Sequence, residues 1–325
     1  MEIPVTVNTN GDSVLELHNS LLGDLRTSGR LKVPIGGARP LVERDTKVFT
    51  ADSPTRSLVI GSRGEPVAVL FVSNSVDVAY VARNVEKAAE AKRMLGDDLG
   101  SVILEPLAQG DFRGFSFALW PWHRRMTPVR GFAYLQRRLL LPHMLAWLRE
   151  VTERTVHDTY SDELGTAFTQ HLKQMAQDHR FPLPSQDLSQ QGLERLESGS
   201  WRPRVVLQHK DFCHWNILLP RDRSHRRQFP RGFILIDWAG ANLRGYPFFN
   251  LLLLAQYSRM PASVLRAELL SHCRILSCET CDVMPYLLAA LGFIGTHLGH
   301  FAESDYVSMF RKTIQFSLPA VRSLD

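Results

Sequence analysis

Residues Leu207–Pro220 read LQHKDFCHWNILLP. A His, an Asp and an Asn stand at fixed offsets between two apolar runs, with Asp211 and Asn216 five residues apart. The run RVVLQ before them has the short, β-branched character of a strand, so the polar residues fall in the loop that leaves it. A second apolar run, FILID, ends in Asp237. An Asp at a strand end beside that Asn supplies a carboxylate and an amide oxygen, both hard donors of the kind Mg²⁺ takes.

Working outward, the chain changes texture once. Residues 1–30 form a mixed leader, polar at first and then helical by period in SVLELHNSLLGDLRTS. Residues 31–122 are β-rich: RPLVERDTKVFTA, RSLVIGS, EPVAVLFVSN, SVILEPLAQG and FSFALWPW are strand-like runs split by Asp, Ser, Pro and Gly turns. One Ala/Glu/Lys-rich helix interrupts them. Residues 123–325 are mainly helical and carry the two short strands around the opening stretch. Pro142 is expected to kink or divide the first long helix. The expectation is an α+β fold of two lobes, a small β-rich N-lobe and a larger helical C-lobe.

The bulk numbers agree with a globular enzyme. The chain has 325 residues, 44% hydrophobic and 22% charged, with a net charge of +5. That excess is too small and scattered to demand nucleic acid, but it suits an anionic small ligand. Four Cys in this length do not make a disulfide scaffold, and the start of the chain lacks the charged and apolar regions of a signal peptide. The longest apolar runs fall short of the roughly 20 residues that span a bilayer. A cytoplasmic protein without a transmembrane segment is the expectation.

HKDFCHWNILL, followed by FILIDWAGANLRGYPFFNLL, resembles the aminoglycoside phosphotransferase and choline kinase family, small-molecule kinases with a protein-kinase-like fold. Their motifs run roughly H-G-D-x-x-x-x-N-[IL]-L, then [IV]-D-W-E-x-A, then G-x-P-x-x-D-L. The resemblance implies ATP and Mg²⁺ as cofactors, Asp211 as catalytic base, His209 as a prop of the loop, and Asn216 and Asp237 as metal and nucleotide ligands. It implies a small-molecule hydroxyl as acceptor: a sugar, an amino sugar or an amino alcohol. Phosphoryl transfer asks for this equipment, a carboxylate beside the acceptor and ligands for the bridging metal.

The match has gaps. Lys210 stands where the family has Gly, Ala239 where it has Glu, and Asn250 where it has Asp. An Asn still accepts a hydrogen bond at that last position but brings no charge. In the N-lobe, Phe71 falls where a kinase carries its phosphate-binding Lys, and Ala88 near the Glu that pairs with it, between Glu86 and Glu90. Phe71 is expected at the roof of the cleft, with no ammonium paired to Glu86 or Glu90. Three readings follow: a basic residue such as Lys47, Arg83 or Lys87 substitutes, nucleotide binds in another way, or the protein is a kinase-like pseudoenzyme acting as a binding or scaffold module.

Other residues carry two readings each. Gly36 and Gly37 in IGGARP form a phosphate cover or a plain turn. Trp120 and Trp122 in FALWPWHRR stand at the expected hinge, against the adenine or within the lobe interface. The basic linker PRDRSHRRQFPRG is a solvated hairpin or a grip on an anion. His272, Cys273, Cys278 and Cys281 suggest zinc, or buried thiols of a helical region. Cys213 and His214 are expected to line the acceptor pocket, and His297 and His300 to lie on a helix face.

Overall fold

A computed structural model of the chain describes residues 11–31, 34–41, 54–75, 79–126, 130–158, 163–221, 227–298 and 302–324. The N-lobe is a five-stranded antiparallel sheet of β1 (Ile35–Pro40), β2 (Thr55–Gly61), β3 (Pro66–Val72), β4 (Ala108–Phe112) and β5 (Phe115–Pro121), in the order β1-β2-β3-β5-β4. Strand β3, PVAVLFV, is apolar throughout because both its faces are covered. Ala68, Leu70 and Val72 meet Leu21, Leu22 and Leu25 of helix α1 (Gly11–Thr27). The opposite face carries Phe71, Ala118 and Trp120 toward the C-lobe strands. The leader helix is thus part of the N-lobe core. Buried His18 fixes it to β2, with Nδ1 2.6 Å from Ser57 Oγ and Nε2 3.0 Å from Thr55 Oγ1.

Helix α2 (Tyr80–Leu99) joins the lobes. Its chain breaks helical geometry at Gly96, which adopts φ 73°. Val81 packs in the cleft-side cluster, while Ala88, Ala91, Leu95 and Leu99 belong to the C-lobe core. The indole of Trp147 donates to Leu99 O at 2.9 Å.

The C-lobe contains α3 (Arg130–Thr155), α4 (Glu163–Gln177), α5 (Leu183–Glu197), α6 (Phe249–Ser258), α7 (Ala262–Leu276), α8 (Val283–Thr296) and α9 (Glu303–Arg322). Pro142 lies inside α3 without dividing it. Helix α8 is apolar over most of its length, and Val283 to Leu291 are all buried. No single described helix is long and apolar enough to cross a membrane. Gly292 allows α8 to approach α4: a Cβ there would lie 2.9 Å from His171 O.

Two small sheets sit between the helices. Strand β8 (Arg204–Gln208) lies between β7 (His157–Asp158) and β11 (Asn242–Gly245). Strand β9 (Ile217–Leu219) lies between β10 (Ile234–Leu235) and β6 (Arg124–Arg125). The β8–β9 loop and the β10–β11 turn therefore open on the same side, below the N-lobe sheet.

Candidate active site

The loop that leaves β8 is held from three directions. Asn250, on α6, accepts from the backbone N–H of His209 at 3.1 Å and of Lys210 at 3.4 Å. Its amide nitrogen donates to Leu207 O at 3.3 Å. The Asn thus keeps the acceptor role expected of an Asp at this position and adds a donor that a carboxylate lacks. His209 is buried, and burial holds its pKa below the usual histidine value. The neutral ring accepts from Asp211 N–H at Nδ1 (3.3 Å) and donates from Nε2 to Ile236 O at 3.0 Å. That bond ties the loop to the residue preceding Asp237.

Asp211 is exposed at the mouth of the cleft. The side-chain amide of buried Asn216 donates to Asp211 Oδ2 at 2.7 Å and to Asp211 O at 3.0 Å. The short helical turn His214–Asn216 creates this contact by folding the five-residue spacing back on itself. With its nitrogen on Asp211, the oxygen of the Asn216 amide is the atom left for a cation.

Asp237 adopts φ 67°, and Lys210 adopts φ 69°. An Asp tolerates the left-handed region through its short polar side chain, whereas a long side chain is strained there. This accounts for the Gly of the family motif at the Lys210 position. Lys210 Nζ lies 4.4 Å from the Phe293 ring centroid, and burial pushes its pKa down to about 8. Burial raises the pKa of Asp237, and the charge of Asp211 adds to that effect.

Two residues of α2 that the sequence did not single out complete this site. The Tyr80 hydroxyl donates to Asp237 Oδ1 at 2.6 Å. One turn on, Asn84 Oδ1 accepts from the Trp238 backbone N–H at 2.7 Å. Their four-residue spacing puts both on one helix face. The signal available in the sequence was an Asn inside an otherwise Ala- and charge-rich helix.

The remaining candidates are spread more widely. Trp120 is buried in the cleft-side cluster with Ala118, Leu218, Phe229 and Ile234. Trp122 donates its backbone N–H to Val67 O at 3.0 Å, and the Arg221 guanidinium lies 5.8 Å from its ring centroid. Gly36 and Gly37 lie within β1, not in a turn, at a register shift opposite Gly61 and Ile60. A Cβ on Gly36 would meet Gly61 O at 2.9 Å. The β1–β2 connection, which includes Lys47, lies mostly outside the described residues, as do His300 and residues 222–226 of the basic linker. The far end of that linker is anchored: Arg231 forms a bidentate pair with Glu150 at 2.7 and 3.0 Å.

Phe71 faces the cleft and is half-buried. Ala88 is packed into the C-lobe core. The expectation that Glu90 has no ammonium partner is corrected: Lys87 Nζ lies 2.8 Å from its carboxylate, one turn away in the same helix. Lys87 is thereby engaged outside the cleft. Arg83 is exposed, with its guanidinium 5.9 Å from the Tyr80 ring centroid. Among the described residues, no group of three or more His, Cys, Asp or Glu is arranged to hold a metal ion. Cys273 is buried and its thiol points to Glu279 O at 3.8 Å, while His272 Nδ1 lies 2.9 Å from Glu268 O within α7.

Cys213 is buried next to Asp211, and burial lifts the thiol above its usual pKa range. His214, Trp215 and Tyr257 form an aromatic rim, with ring centroids 4.2 Å apart for His214–Trp215 and 6.0 Å for His214–Tyr257. Trp215 is 58% exposed and Tyr257 38% exposed, unusual for such large side chains beside a polar loop.

Neither a family model nor a curated protein matches the sequence. Solved structures do match. The GDP complex of a mutant aminoglycoside 2'-phosphotransferase IIIa superposes with a TM-score of 0.53 at 12% identity, covering 94% of this chain and all of that one. A thermostable mutant of aminoglycoside phosphotransferase APH(4)-Ia, in ternary complex with ADP and hygromycin B, gives 0.50 at 15% identity, covering 94% and 98%. A choline/ethanolamine kinase family protein from Mesorhizobium loti gives 0.48 at 15% identity, covering 94% and 99%. At these identities the likeness is one of architecture, and it spans nearly the whole molecule: the chain has the two-lobed, protein-kinase-like α+β fold of the aminoglycoside phosphotransferases.

Proposed function

We propose that the protein is a phosphotransferase that moves the γ-phosphoryl group of ATP to a hydroxyl of a small molecule. The observation that carries this reading is the Asp211–Asn216 pair: an exposed carboxylate, oriented by an amide, on a loop clamped by His209 and Asn250 beside Asp237. In such a transfer the bond from Pγ to the bridging oxygen of ADP breaks, and a bond from Pγ to the acceptor oxygen forms. The acceptor proton passes to Asp211. Because the transition state is loose, Asp211 contributes chiefly by aligning the hydroxyl and taking the proton late.

His209 is a positioning residue, since it reaches the reacting groups only through the loop. The donor set fits Mg²⁺: the amide oxygen of Asn216 and the carboxylate of Asp237 are hard oxygens on adjacent segments. A Mg²⁺ ion held there would supply positive charge against the phosphates. Trp120 and Trp122, at the end of β5, would wall the adenine site, with Gly36 and Gly37 in the sheet above the phosphates. The aromatic rim of His214, Trp215 and Tyr257 suits an acceptor with a ring or an apolar face, such as a sugar or amino sugar.

The reading is tested by ADP release from ATP and Mg²⁺ across a panel of sugars, amino sugars and amino alcohols. Release with one acceptor class, lost in Asp211→Asn, supports it. A second reading has its own observation. The Tyr80 hydroxyl occupies one oxygen of Asp237, and the β3 Lys is missing, as in a module that binds nucleotide without transferring phosphate. ATP binding with no ADP release for any acceptor would favour that module.

A further inference from the structure

Strand β3 lacks the cation that a nucleotide's phosphates require, yet the cleft roof does not. Arg56, on β2, is the Cα partner of Phe71. Partners directly across an antiparallel ladder project to the same face, with Cβ atoms about 5 Å apart. The Arg56 guanidinium carbon stands 4.8 Å from the Phe71 ring centroid, within the range of a cation–π contact. Phe71 itself belongs to the cluster that faces the C-lobe, with Tyr80 and Ile236 beside it. Arg56 is therefore on the roof of the cleft, half-buried, one strand over from the position where a kinase carries its Lys.

The other basic residues of this region are placed differently. Lys87, Lys92 and Arg83 are carried by α2 rather than by the strands of the roof, and Arg83 lies on its exposed side.

We propose that Arg56 binds the α- and β-phosphates of the nucleotide, so that the phosphate-binding cation has moved from β3 to the paired position on β2, with Phe71 as the platform under its guanidinium. The physical reasons are reach and geometry. Arg has a longer side chain than Lys, so a neighbouring strand still delivers its charge to the same space. Its planar fork bonds two phosphate oxygens at once, and its flat face stacks on an aromatic ring. The loss of the Glu from α2 follows. A β3 Lys needs a carboxylate to aim it, whereas Arg56 is aimed by stacking on Phe71. The Glu position is then free to become Ala88, which fills the core.

The proposal rests on the phosphotransferase reading only through nucleotide binding, and one experiment separates the two. Binding of adenosine, ADP and ATP is measured by calorimetry without Mg²⁺ for the wild type, Arg56→Ala, Arg56→Met and the double variant Arg56→Ala/Phe71→Lys. Melting curves establish that each variant is folded. Arg56→Met keeps the apolar stem over Phe71, so it serves if the Ala variant does not fold. The expected result is a loss of about tenfold or more in ADP and ATP affinity for Arg56→Ala and Arg56→Met. Adenosine affinity should be unchanged, and the double variant should regain most of the loss. ATP and ADP affinities within twofold of wild type in folded Arg56→Met overturn the proposal and leave the phosphotransferase reading standing. A wild type that binds none of the three overturns both. A wild type that shows the Arg56 dependence but releases no ADP with any acceptor sustains the proposal while the phosphotransferase reading fails.

Discussion

The hydroxyl of Tyr80 donates to Oδ1 of Asp237 across 157 residues of chain at 2.6 Å, joining the first turn of α2 to the strand end that carries the candidate metal ligand. The next turn of the helix holds the Trp238 backbone through Asn84. The position of α2 and the state of Asp237 are therefore one variable. Tyr80→Phe removes the competing donor and keeps the ring. Mg²⁺-dependent nucleotide binding is expected to tighten about fivefold, the equivalent of one hydrogen bond worth roughly 1 kcal/mol. Thermal shift with ATP across a Mg²⁺ titration reads this directly; no change, or a weakening, would show that the hydroxyl does not compete with the cation.

Asp237→Asn should abolish the Mg²⁺-dependent part of the nucleotide-induced shift while leaving the protein folded. Asn tolerates the φ of 67° found at this position, and it removes a charge from a half-buried position where burial raises the carboxyl pKa. The melting midpoint without nucleotide is expected to hold or rise. A variant that retains the full Mg²⁺ dependence would remove Asp237 from the metal site.

Asp211→Asn keeps the shape of the side chain and removes its charge. Turnover on whichever acceptor is found should fall by roughly 10²–10⁴, the usual contribution of a positioned base. ATP affinity should stay within about twofold, because in the proposed role the carboxylate meets the acceptor rather than the nucleotide. Steady-state kinetics give kcat and binding separately; equal turnover in wild type and variant would end the assignment of Asp211 as base.

Asn250 makes one more bond than an Asp could. Asn250→Ala leaves two backbone N–H groups and Leu207 O unpaired in the half-buried loop base. A destabilisation of about 1–3 kcal/mol is expected in denaturant unfolding, with Asn250→Asp clearly milder because the acceptor survives. If Asp proves as damaging as Ala, the donor to Leu207 O is the important half of the contact.

Acid should destabilise the fold through two histidines away from the cleft. Burial lowers the pKa of both His18 and His171 to about 4. His18 sits between Ser57 and Thr55, and His171 Nδ1 lies 2.6 Å from the Tyr246 hydroxyl with the charge of His297 nearby. In the unfolded chain each protonates near pH 6.5; in the folded protein each stays neutral to about pH 4. Their contribution is therefore present above pH 6.5 and lost as pH falls from there to about 4, at up to roughly 1.4 kcal/mol per pH unit for each histidine. Denaturant midpoints at successive pH values, compared with His18→Phe, should show a shallower acid slope in the variant.

The sequence determined the elements whose signal is local. The HKDFCHWN spacing placed Asp211 and Asn216 in contact because a five-residue loop has few ways to close, and the strand-like run before Asp237 placed that residue at a strand end. The change from period two to helical period separated the sheet from the helical part. Asn250 was legible as an acceptor for the loop. Tertiary structure alone decided the pairings that span the chain. Tyr80 and Asn84 look like ordinary helix residues until α2 is laid against the turn at Asp237. Gly36 and Gly37 allowed a phosphate cover or a turn, and the ladder with β2 places them within β1 at a bulge. Nothing local sets Arg56 apart near the start of its strand; only the register of β2 on β3 puts it over Phe71. The physical reason is the same each time. Local propensity and spacing fix what a segment becomes, while the identity of its neighbours depends on contacts whose loop-closure cost is recovered only in the assembled core.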